Sequence, residues 1–480
     1  MNQERFHLLR NYPIEKSRNS SRDVIVVALQ HLLPSITHLF SRLIDLGFQP
    51  GNIWVLGKPY STVKRTALEL RDTYGIHVFR AGEQRLFPPG GYASEARLEA
   101  EEFWRTVNEK IGRERRKVIV LDEGGMLRKT MPNQFLSAGH ELVAIEHTSS
   151  GWDPNDANLL KYPVILKARS FAKLKFESPF IARALMARLV NELGTSRDYQ
   201  EDAIDDDVSC DDEEIGRVMS EHSIGIIGFG NLGASIARYL HGIGVTKLSA
   251  VDSVSSAFNQ PEAHFVRRCN RGELVSNCGV LLGCTGVMVD QVDVALFKRE
   301  YINARHKRMP VAPQIALPAK YFASCSSGDR EFSRLIPHML QIDRKYRENG
   351  YANATGQVGQ ANVTLLNGGF PLNFDRQVEY EPFDRILLTR ELTLASIMQA
   401  NWMLHGQLLN PQPIKLDAAM QMEVVTNWVR MIAEDEDIDV NTVSHPENCK
   451  RLGIPFEPPS TMSVWTAKSE GVELGSPFGT

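Results

Sequence analysis

A lysine and a glutamate in the second quarter of the chain are spaced so that their side chains can interact. Lys173 and Glu177 lie four residues apart in the segment FAKLKFES, so on a helix their side chains share one face. A lysine whose pKa is tuned by a nearby carboxylate is suited to taking up and releasing a proton near neutral pH. The alternative is an ordinary salt bridge on the protein surface.

Other titratable residues follow predicted strands, at the end of the sheet where ligands bind in open α/β proteins. Glu123 follows a strand predicted over 117–121, and His147 follows one over 143–145. His31 comes shortly after the first predicted strand, 24–28. We expect these residues to carry catalysis together with Lys173 and Glu177. The simpler alternatives are a strand-end acid for Glu123 and a packed or solvated side chain for His31.

A strand, a glycine-rich turn and a helix follow one another near the middle of the chain. The turn consists of Gly228, Phe229, Gly230, Asn231, Leu232 and Gly233. Glycines at these places permit a tight turn, close approach of a pyrophosphate and close packing of helix on strand, while the helix N-terminus offers N–H groups to the phosphates. Asp252 ends the next predicted strand, where a carboxylate binds the ribose hydroxyls of NAD and repels the 2′-phosphate of NADP. The alternative is that the glycines serve packing alone.

Regular alternation of strands and helices in the first 195 residues indicates parallel α/β construction. A segment without Lys or Arg, EDAIDDDVSCDDEE, separates this part from the glycine-rich turn and indicates a solvated linker. A later strand of the second unit is predicted to end at Cys284, Thr285 and Gly286, where the cofactor's ribose would lie.

Composition favours a small-molecule partner. The 480 residues are 42% hydrophobic and 23% charged with a net charge of −4, which offers no positive surplus for nucleic acid or an anionic membrane. The six cysteines form no CxxC pair, so we expect reduced thiols, no metal site and a cytoplasmic location. No apolar stretch approaches the roughly 20 residues that span a bilayer, and the first residues show no secretory signal.

Several segments, in order along the chain, resemble the S-adenosylhomocysteine hydrolase family. VLDEGG at 120–125 resembles that family's ILDDGGD, EHTSSG at 146–151 its EETTTG, and FAKLKFES at 171–178 its VTKSKFDN. The turn GFGNLG is similar to GYGDVG, LLNGGFPLN at 365–373 to LLAEGRLVN, and RLGIP at 451–455 to YLGVP.

The resemblance implies a two-domain α/β fold in which a Rossmann NAD-binding domain is inserted between the halves of an α/β substrate domain. We therefore expect the substrate domain over 1–195, the acidic linker over 196–218 and the Rossmann domain over 219–372. A C-terminal segment, 373–480, returns to the substrate domain and ends in a divergent tail. The resemblance also implies a homo-oligomer.

In chemical terms the resemblance implies that NAD oxidises the ribose 3′-hydroxyl of a nucleoside-like substrate, with elimination or hydrolysis of a thioether. It assigns the hydroxyl proton to Lys173 and Glu177, the C4′ proton to Glu123 and the region of C5′ to His31. The family residues that contact the nicotinamide end correspond here to Thr148, Ser149, Ser178 and Asn373.

The chain departs from the family at several of its catalytic positions. His147 stands where the family has a ribose-binding glutamate, and two family histidines are absent around 326–332 and 380–383. Two alternatives therefore remain beside the hydrolase: a non-catalytic NAD-binding sensor or interaction protein, and an oxidoreductase of the 2-hydroxyacid dehydrogenase type.

Overall fold

The computed structural model describes residues 6–10, 20–83, 92–112, 114–152, 161–193, 210–286, 320–326, 331–348, 350–358, 361–374, 376, 379–443 and 445–454. The predicted acidic linker lies outside these ranges up to residue 209, as does the C-terminal tail from residue 455 onward.

The strands of the described residues are β1 Val24–Gln30, β2 Ile53–Gly57, β3 His77–Val78, β4 Lys117–Asp122, β5 Glu141–Glu146, β6 Val164–Ile165, β7 Ile224–Ile227, β8 Leu248–Val251, β9 Arg267–Arg268, β10 Val280–Gly283, β11 Lys320–Ser324, β12 Ala354–Val358, β13 Ala361–Leu365 and β14 Pro413–Ile414. The α-helices are α1 Ile36–Asp45, α2 Lys64–Asp72, α3 Tyr92–Ile111, α4 Met126–Thr130, α5 Asn133–Ser137, α6 Ser178–Leu193, α7 Asp212–Ser220, α8 Asn231–Gly242, α9 Arg271–Asn277, α10 Arg344–Glu348, α11 Phe383–Gly406, α12 Ala418–Asp435 and α13 Pro446–Leu452.

Two sheets organise these elements. The N-terminal sheet has the order β14-β6-β5-β4-β1-β2-β3, with all neighbours parallel. The Rossmann sheet has the order β12-β13-β11-β10-β7-β8-β9 and is parallel except for its edge strand β12. The direction of winding reverses between β1 and β4 in one sheet and between β7 and β10 in the other, and such reversals open a crevice at the carboxyl ends of the strands.

The C-terminal part returns to the N-terminal sheet, because β14 pairs with β6 and the side chains of α11 and α12 join the core beside that sheet. The predicted fold class, a two-domain α/β protein with the nucleotide-binding domain inserted between the halves of the other, is confirmed.

Burial explains why these segments form strands. All seven residues of β1 are buried, as are all four of β7, which is the pattern of a parallel strand with both faces covered. Apolar clusters cover both faces of each sheet. Within the described ranges, no helix combines the length and the apolar character that crossing a bilayer requires.

Two helix starts lie close to the candidate site and to the predicted linker. A π-helical turn, Lys173–Glu177, runs directly into α6, which begins at Ser178. The end of the predicted acidic linker is helical, because Asp211 caps α7 by accepting a hydrogen bond from the backbone N–H of Glu214. Acidic residues in the first turn complement the helix dipole, so the charge that suggested a solvated segment also suits a helix N-terminus.

A buried carboxylate on α11 ties the first described residues to the C-terminal part. Glu391 is fully buried and accepts hydrogen bonds from the backbone N–H groups of Leu8 and Leu9, at 3.2 and 3.1 Å. Its other oxygen lies 2.8 Å from Nε2 of His38 and 3.7 Å from Nε of Arg42.

We predict that Glu391→Ala lowers the free energy of unfolding by about 3–5 kcal/mol, because it leaves buried donors and a buried arginine without their acceptor. Urea denaturation of the purified variant measures this change. Glu434→Ala, which removes an exposed carboxylate of α12, serves as the control and is expected to change stability by at most about 0.5 kcal/mol. Equal stability of the two variants would contradict the prediction.

Candidate active site

Five strand ends of the N-terminal sheet carry titratable side chains. The residues are His31 after β1, Lys58 after β2, Glu123 after β4, His147 after β5 and Lys167 after β6. All five strands are parallel, so their carboxyl ends lie along one edge of the sheet. Lys173 and Glu177, on the π-helical turn that follows, complete the cluster. The five residues that the sequence predicted to be catalytic are therefore brought together.

Glu123 is the centre of one half of the cluster. Its carboxylate lies 2.6 Å from Nε2 of His31 and 3.0 Å from Nζ of Lys58, and all three side chains are largely buried. Burial alone would raise the pKa of Glu123, but the interactions with His31 and with the ammonium of Lys58 hold that pKa well below its usual value. The carboxylate in turn raises the pKa of Lys58 despite the burial of the ammonium. Glu123 and Lys58 are thus a charged pair at neutral pH.

His31 is held on three sides. Burial lowers its pKa below the ordinary value, and Glu123 offsets this only in part, so the imidazole is neutral at pH 7. Since an ionised carboxylate only accepts hydrogen bonds, Nε2 carries the proton and Nδ1 is an acceptor facing the hydroxyl of Ser61 at 2.5 Å. The ring also stacks on Phe374 at a centroid distance of 4.1 Å.

Lys167 and His147 form the second half of the cluster. The Lys167 side chain is fully buried, and its Nζ lies 3.3 Å from Nδ1 of His147. Burial, reinforced by the charge of Lys173, lowers the pKa of Lys167 to about 7. Burial and the charge of Lys167 lower the pKa of His147 well below its ordinary value. Nε2 of His147 is buried and has no hydrogen-bond partner among the described residues.

Lys173 and Glu177 form an ion pair of 2.5 Å, with side chains that are 22% and 6% exposed. They are therefore not an exposed surface pair. Burial would raise the pKa of Glu177, but Lys173 and Lys167 lower it. The pair lies on a π-helical turn, a rare conformation that occurs preferentially at functional sites.

A salt-bridge network beneath the cluster fixes the turns after β4 and β5. Glu146 accepts from the backbone N–H groups of Gly124 and Gly125, both at 3.1 Å, and from the backbone N–H of Thr148 at 2.9 Å. Arg128 links Glu146 to Asp122. Burial and the neighbouring Asp122 raise the pKa of Glu146 to about 7. Because Gly124 and Gly125 have φ of 77° and 68°, the turn that positions Glu123 favours glycine.

The glycine-rich turn has the geometry that the sequence predicted. Gly228 has φ of 95°, and a Cβ there would lie 2.9 Å from the backbone of Cys284. A Cβ on Gly233 would lie 2.1 Å from the carbonyl oxygen of Gly228, whereas one on Gly230 would meet nothing within 4 Å. Asn231 and Leu232 begin α8. The space above Gly230, at a helix N-terminus, fits the pyrophosphate of a dinucleotide.

Asp252 supports this turn from the end of β8. Its Oδ2 accepts from the backbone N–H of Phe229 at 2.6 Å, and its Oδ1 accepts from that of Val254 at 2.8 Å. The carboxylate therefore lies against the glycine-rich turn, on the side where an adenosine ribose binds in this type of fold.

Other residues predicted to bind the cofactor have partners within the protein. The buried Glu331 accepts from the backbone N–H and the hydroxyl of Thr285, at 2.7 and 2.6 Å, and from the backbone N–H of Gly286 at 3.0 Å. Cys284 precedes them directly after β10. The amide of Asn373 donates to Glu381 at 2.8 Å.

The remaining predicted cofactor residues follow β5 or precede α6. The hydroxyl of Thr148 lies 2.9 Å from Glu146 and accepts from Gly124. Ser149 begins a short 3-10 turn, Ser149–Gly151, and Ser178 begins α6.

Sequence reasoning missed Lys58 and Lys167, together with Arg390 of α11, which is 3.2 Å from Glu379 and acts electrostatically on both His31 and Lys167. Lys58 and Lys167 follow β2 and β6 in the same way as Glu123 and His147 follow β4 and β5. The rule that ligands bind at carboxyl ends could therefore have found both lysines, whereas nothing in the sequence around Arg390 indicates its position.

Comparisons with known proteins identify relatives and fold neighbours. No family model matches the chain. Two uncharacterized proteins from Mycobacterium tuberculosis strains CDC 1551 and H37Rv are 26% identical over 412 residues, which is 85% of this chain and 70% of theirs.

Among solved structures, D-lactate dehydrogenase from Escherichia coli is 13% identical with a TM-score of 0.33, covering 80% of this chain and 96% of that one. A 2-hydroxyacid dehydrogenase from Ketogulonicigenium vulgare is 11% identical with a TM-score of 0.35, covering 81% and 96%. The NAD complex of a D-isomer-specific 2-hydroxyacid dehydrogenase from Lactobacillus delbrueckii is 10% identical with a TM-score of 0.28, covering 86% and 98%.

These neighbours are dehydrogenases and not S-adenosylhomocysteine hydrolases, so our expectation of that family was wrong. The expected hydrolase reaction on a nucleoside-like substrate was therefore also wrong. The roles at ribose carbons that the resemblance assigned to His31, Glu123, Lys173 and Glu177 no longer apply, although their positions in one cluster do.

We predict that Lys167→Met raises the free energy of unfolding at pH 7 by about 1–4 kcal/mol, because it removes a buried cation that has no hydrogen-bonded carboxylate. The ordinary pKa of lysine is 10.5, and that of Lys167 in the folded protein is about 7. Between these values the unfolded chain binds a proton that the folded protein does not, so the wild type loses stability as the pH falls through this window.

The stability difference between Lys167→Met and the wild type should therefore shrink between pH 7 and pH 10, as measured by urea denaturation at both values. The exposed Lys415 provides the control. The free energy of unfolding of Lys415→Met should equal that of the wild type at both pH values. A Lys167→Met variant that is less stable than the wild type at pH 7 would show that the contact with His147 outweighs the cost of burial.

Proposed function

We propose that this protein is an NAD-dependent oxidoreductase that interconverts a hydroxyl and a carbonyl group of a small molecule, in the manner of 2-hydroxyacid dehydrogenases. The observation that carries the proposal is the buried histidine–carboxylate pair, His31 and Glu123, with the neighbouring Lys58 as a counter-charge. A neutral histidine oriented by a carboxylate is suited to moving the proton of a hydroxyl group. The glycine-rich turn supplies a place for the dinucleotide in the same chain.

The residues around the turn fit NAD. Gly230 leaves room for the pyrophosphate, the N-terminus of α8 offers N–H groups, and Asp252 lies where it would bind the ribose hydroxyls and repel the 2′-phosphate of NADP. NAD, when bound, accepts or supplies the hydride.

Side chains of the protein accept and return the proton of the substrate hydroxyl. Nδ1 of the neutral His31 is an acceptor that faces the hydroxyl of Ser61, so it can take the proton of a substrate hydroxyl through that hydroxyl. Glu123, held on Nε2 of the ring, stabilises the imidazolium that results, as the carboxylate of a catalytic triad does. Lys58 keeps Glu123 ionised, because its charge helps to depress the pKa of that carboxyl. In the reverse direction the imidazolium returns the proton to the reduced carbonyl oxygen.

We predict that Gly230→Val weakens cofactor binding without loss of stability. Gly230 has φ of −76° and an added Cβ meets nothing within 4 Å, so the folded protein accommodates the side chain, which then occupies the place of the pyrophosphate. Titration of NADH by protein fluorescence should show affinity at least about tenfold weaker than in the wild type, a loss of about 1.4 kcal/mol or more.

Gly242→Val is the matched control, because Gly242 is at the other end of α8 and also has nothing within 4 Å. It should bind NADH as the wild type does. Undiminished NADH binding by a folded Gly230→Val protein would show that the turn does not hold the cofactor.

The activity is tested by following NADH absorbance with panels of 2-oxo acids, ketones and aldehydes, and by following NAD reduction with the matching alcohols. We expect His31→Gln to lower kcat by about 10²- to 10⁴-fold, the usual contribution of general acid–base catalysis, with NADH affinity unchanged. His445→Gln, an exposed histidine, controls for the substitution. NADH binding without turnover of any compound would favour the non-catalytic alternative.

A further inference from the structure

Lys167 differs from the other cations of the candidate active site in lacking an acidic partner. Lys58 has Glu123 at 3.0 Å, Lys173 has Glu177 at 2.5 Å and Arg390 has Glu379 at 3.2 Å. The contact that the structure gives Lys167 Nζ within the described residues is the neutral ring nitrogen of His147, at 3.3 Å. A fully buried ammonium group usually has an anionic partner.

His147 is also incompletely bonded. Its Nδ1 faces Lys167, and the ammonium form of Lys167 can only donate, so with that form Nδ1 is the acceptor of the contact and the ring proton resides on Nε2. This N–H is buried, and no hydrogen-bond acceptor for it exists among the described residues. Buried polar groups almost always have partners. The two side chains therefore present donors without acceptors, and an oxyanion is the chemical group that would satisfy both.

Lys167 and His147 lie in a different part of the fold from the place predicted for the cofactor's phosphates. Lys167 and His147 follow β6 and β5 of the N-terminal sheet, whereas the pyrophosphate cradle follows β7 of the Rossmann sheet. The pair is also next to the proton-transfer group, because Glu123 acts electrostatically on both His147 and Lys167. An oxyanion bound here would belong to the molecule whose hydroxyl or carbonyl group faces His31.

We propose that Lys167 and His147 bind a carboxylate of the substrate, so that the substrate of the proposed oxidoreductase is a small oxo or hydroxy acid. The proposal rests on the proposed function and narrows it to one substrate class. It assigns a binding role to two residues rather than a step in proton transfer.

Binding of the carboxylate has a defined pH dependence. It requires Lys167 to be charged, and the pKa of Lys167 is lowered to about 7 by its burial and its cationic neighbours. Affinity should therefore be constant below about pH 7 and fall towards tenfold for each pH unit above it. The other charged or titratable groups that act on Lys167 are Lys173, Glu177, Arg390, Glu123 and His147.

The test titrates the NADH-loaded protein with oxamate, a carboxylate of the size of a small 2-oxo acid, by calorimetry at pH 6.5 and pH 8.5. We expect binding to the wild type that weakens at the higher pH, and at least about tenfold weaker binding to Lys167→Met with NADH affinity unchanged. His147→Asn should weaken oxamate binding as well. Lys415→Met should bind as the wild type does.

Inorganic phosphate and the neutral diamide oxamide are titrated in parallel. Phosphate that binds more tightly than oxamate to the wild type, and that no longer binds to Lys167→Met, would overturn the carboxylate assignment in favour of a phosphorylated substrate. Equal binding of oxamide and oxamate, or an oxamate affinity that Lys167→Met leaves unchanged, would also overturn it, as would a wild type that binds no oxamate.

Failure of the inference is distinguishable from failure of the proposed function. Reduction of neutral ketones or aldehydes, with oxamate binding independent of Lys167, would overturn the carboxylate site and leave the oxidoreductase standing. Oxamate binding that depends on Lys167, without NADH-linked turnover of any oxo acid, would overturn the oxidoreductase and retain the anion site.

Discussion

Burial of the Glu123 carboxylate between His31 and Lys58 is the interaction on which the candidate active site depends. A carboxylate or an ammonium group buried alone is strongly unfavourable, so each member of this group requires the others. Glu123 keeps its charge because Lys58 and His31 are within 3.0 Å, and Lys58 keeps its charge because of Glu123. The result is a neutral histidine beside a permanent negative charge, which is the electrostatic condition for reversible proton transfer.

The fold could be predicted from the sequence because its signals are local. Continuous apolar runs such as the residues of β1 identify buried parallel strands, and Gly228 and Gly233 of the turn before α8 stand where a side chain would be strained or would clash with the backbone. The prediction of His31, Glu123 and His147 followed from the same rule, since a polar residue directly after a buried strand lies at the edge where ligands bind. The pairing of Glu123 with Lys58 could not be predicted, because it depends on the registers of β1, β2 and β4.

Long-range contacts also explain why the expected chemistry of some residues was wrong. Short motifs such as the glycines and acids after β4 and β5 recur wherever doubly wound sheets form tight turns at strand ends, so their order along the chain reports the fold more reliably than the reaction. Glu331 illustrates the limit: nothing in the residues around it indicates that its carboxylate accepts hydrogen bonds from Thr285 and Gly286. Contacts of this kind distinguish proteins that share the same turns.

The two halves of the cluster differ in how their surroundings affect a buried charge. Around Glu123, attraction between unlike charges offsets the cost of burial, and the group is self-contained. Around Lys167 the charge that acts most strongly is that of Lys173, and burial acts in the same direction, so the protein itself disfavours the charged form of this lysine. A group that is disfavoured in the free protein and stabilised by an anionic ligand contributes its interaction energy to binding rather than to folding. Function and stability are therefore in conflict at Lys167, which is a usual feature of binding sites, whereas at Glu123 they coincide.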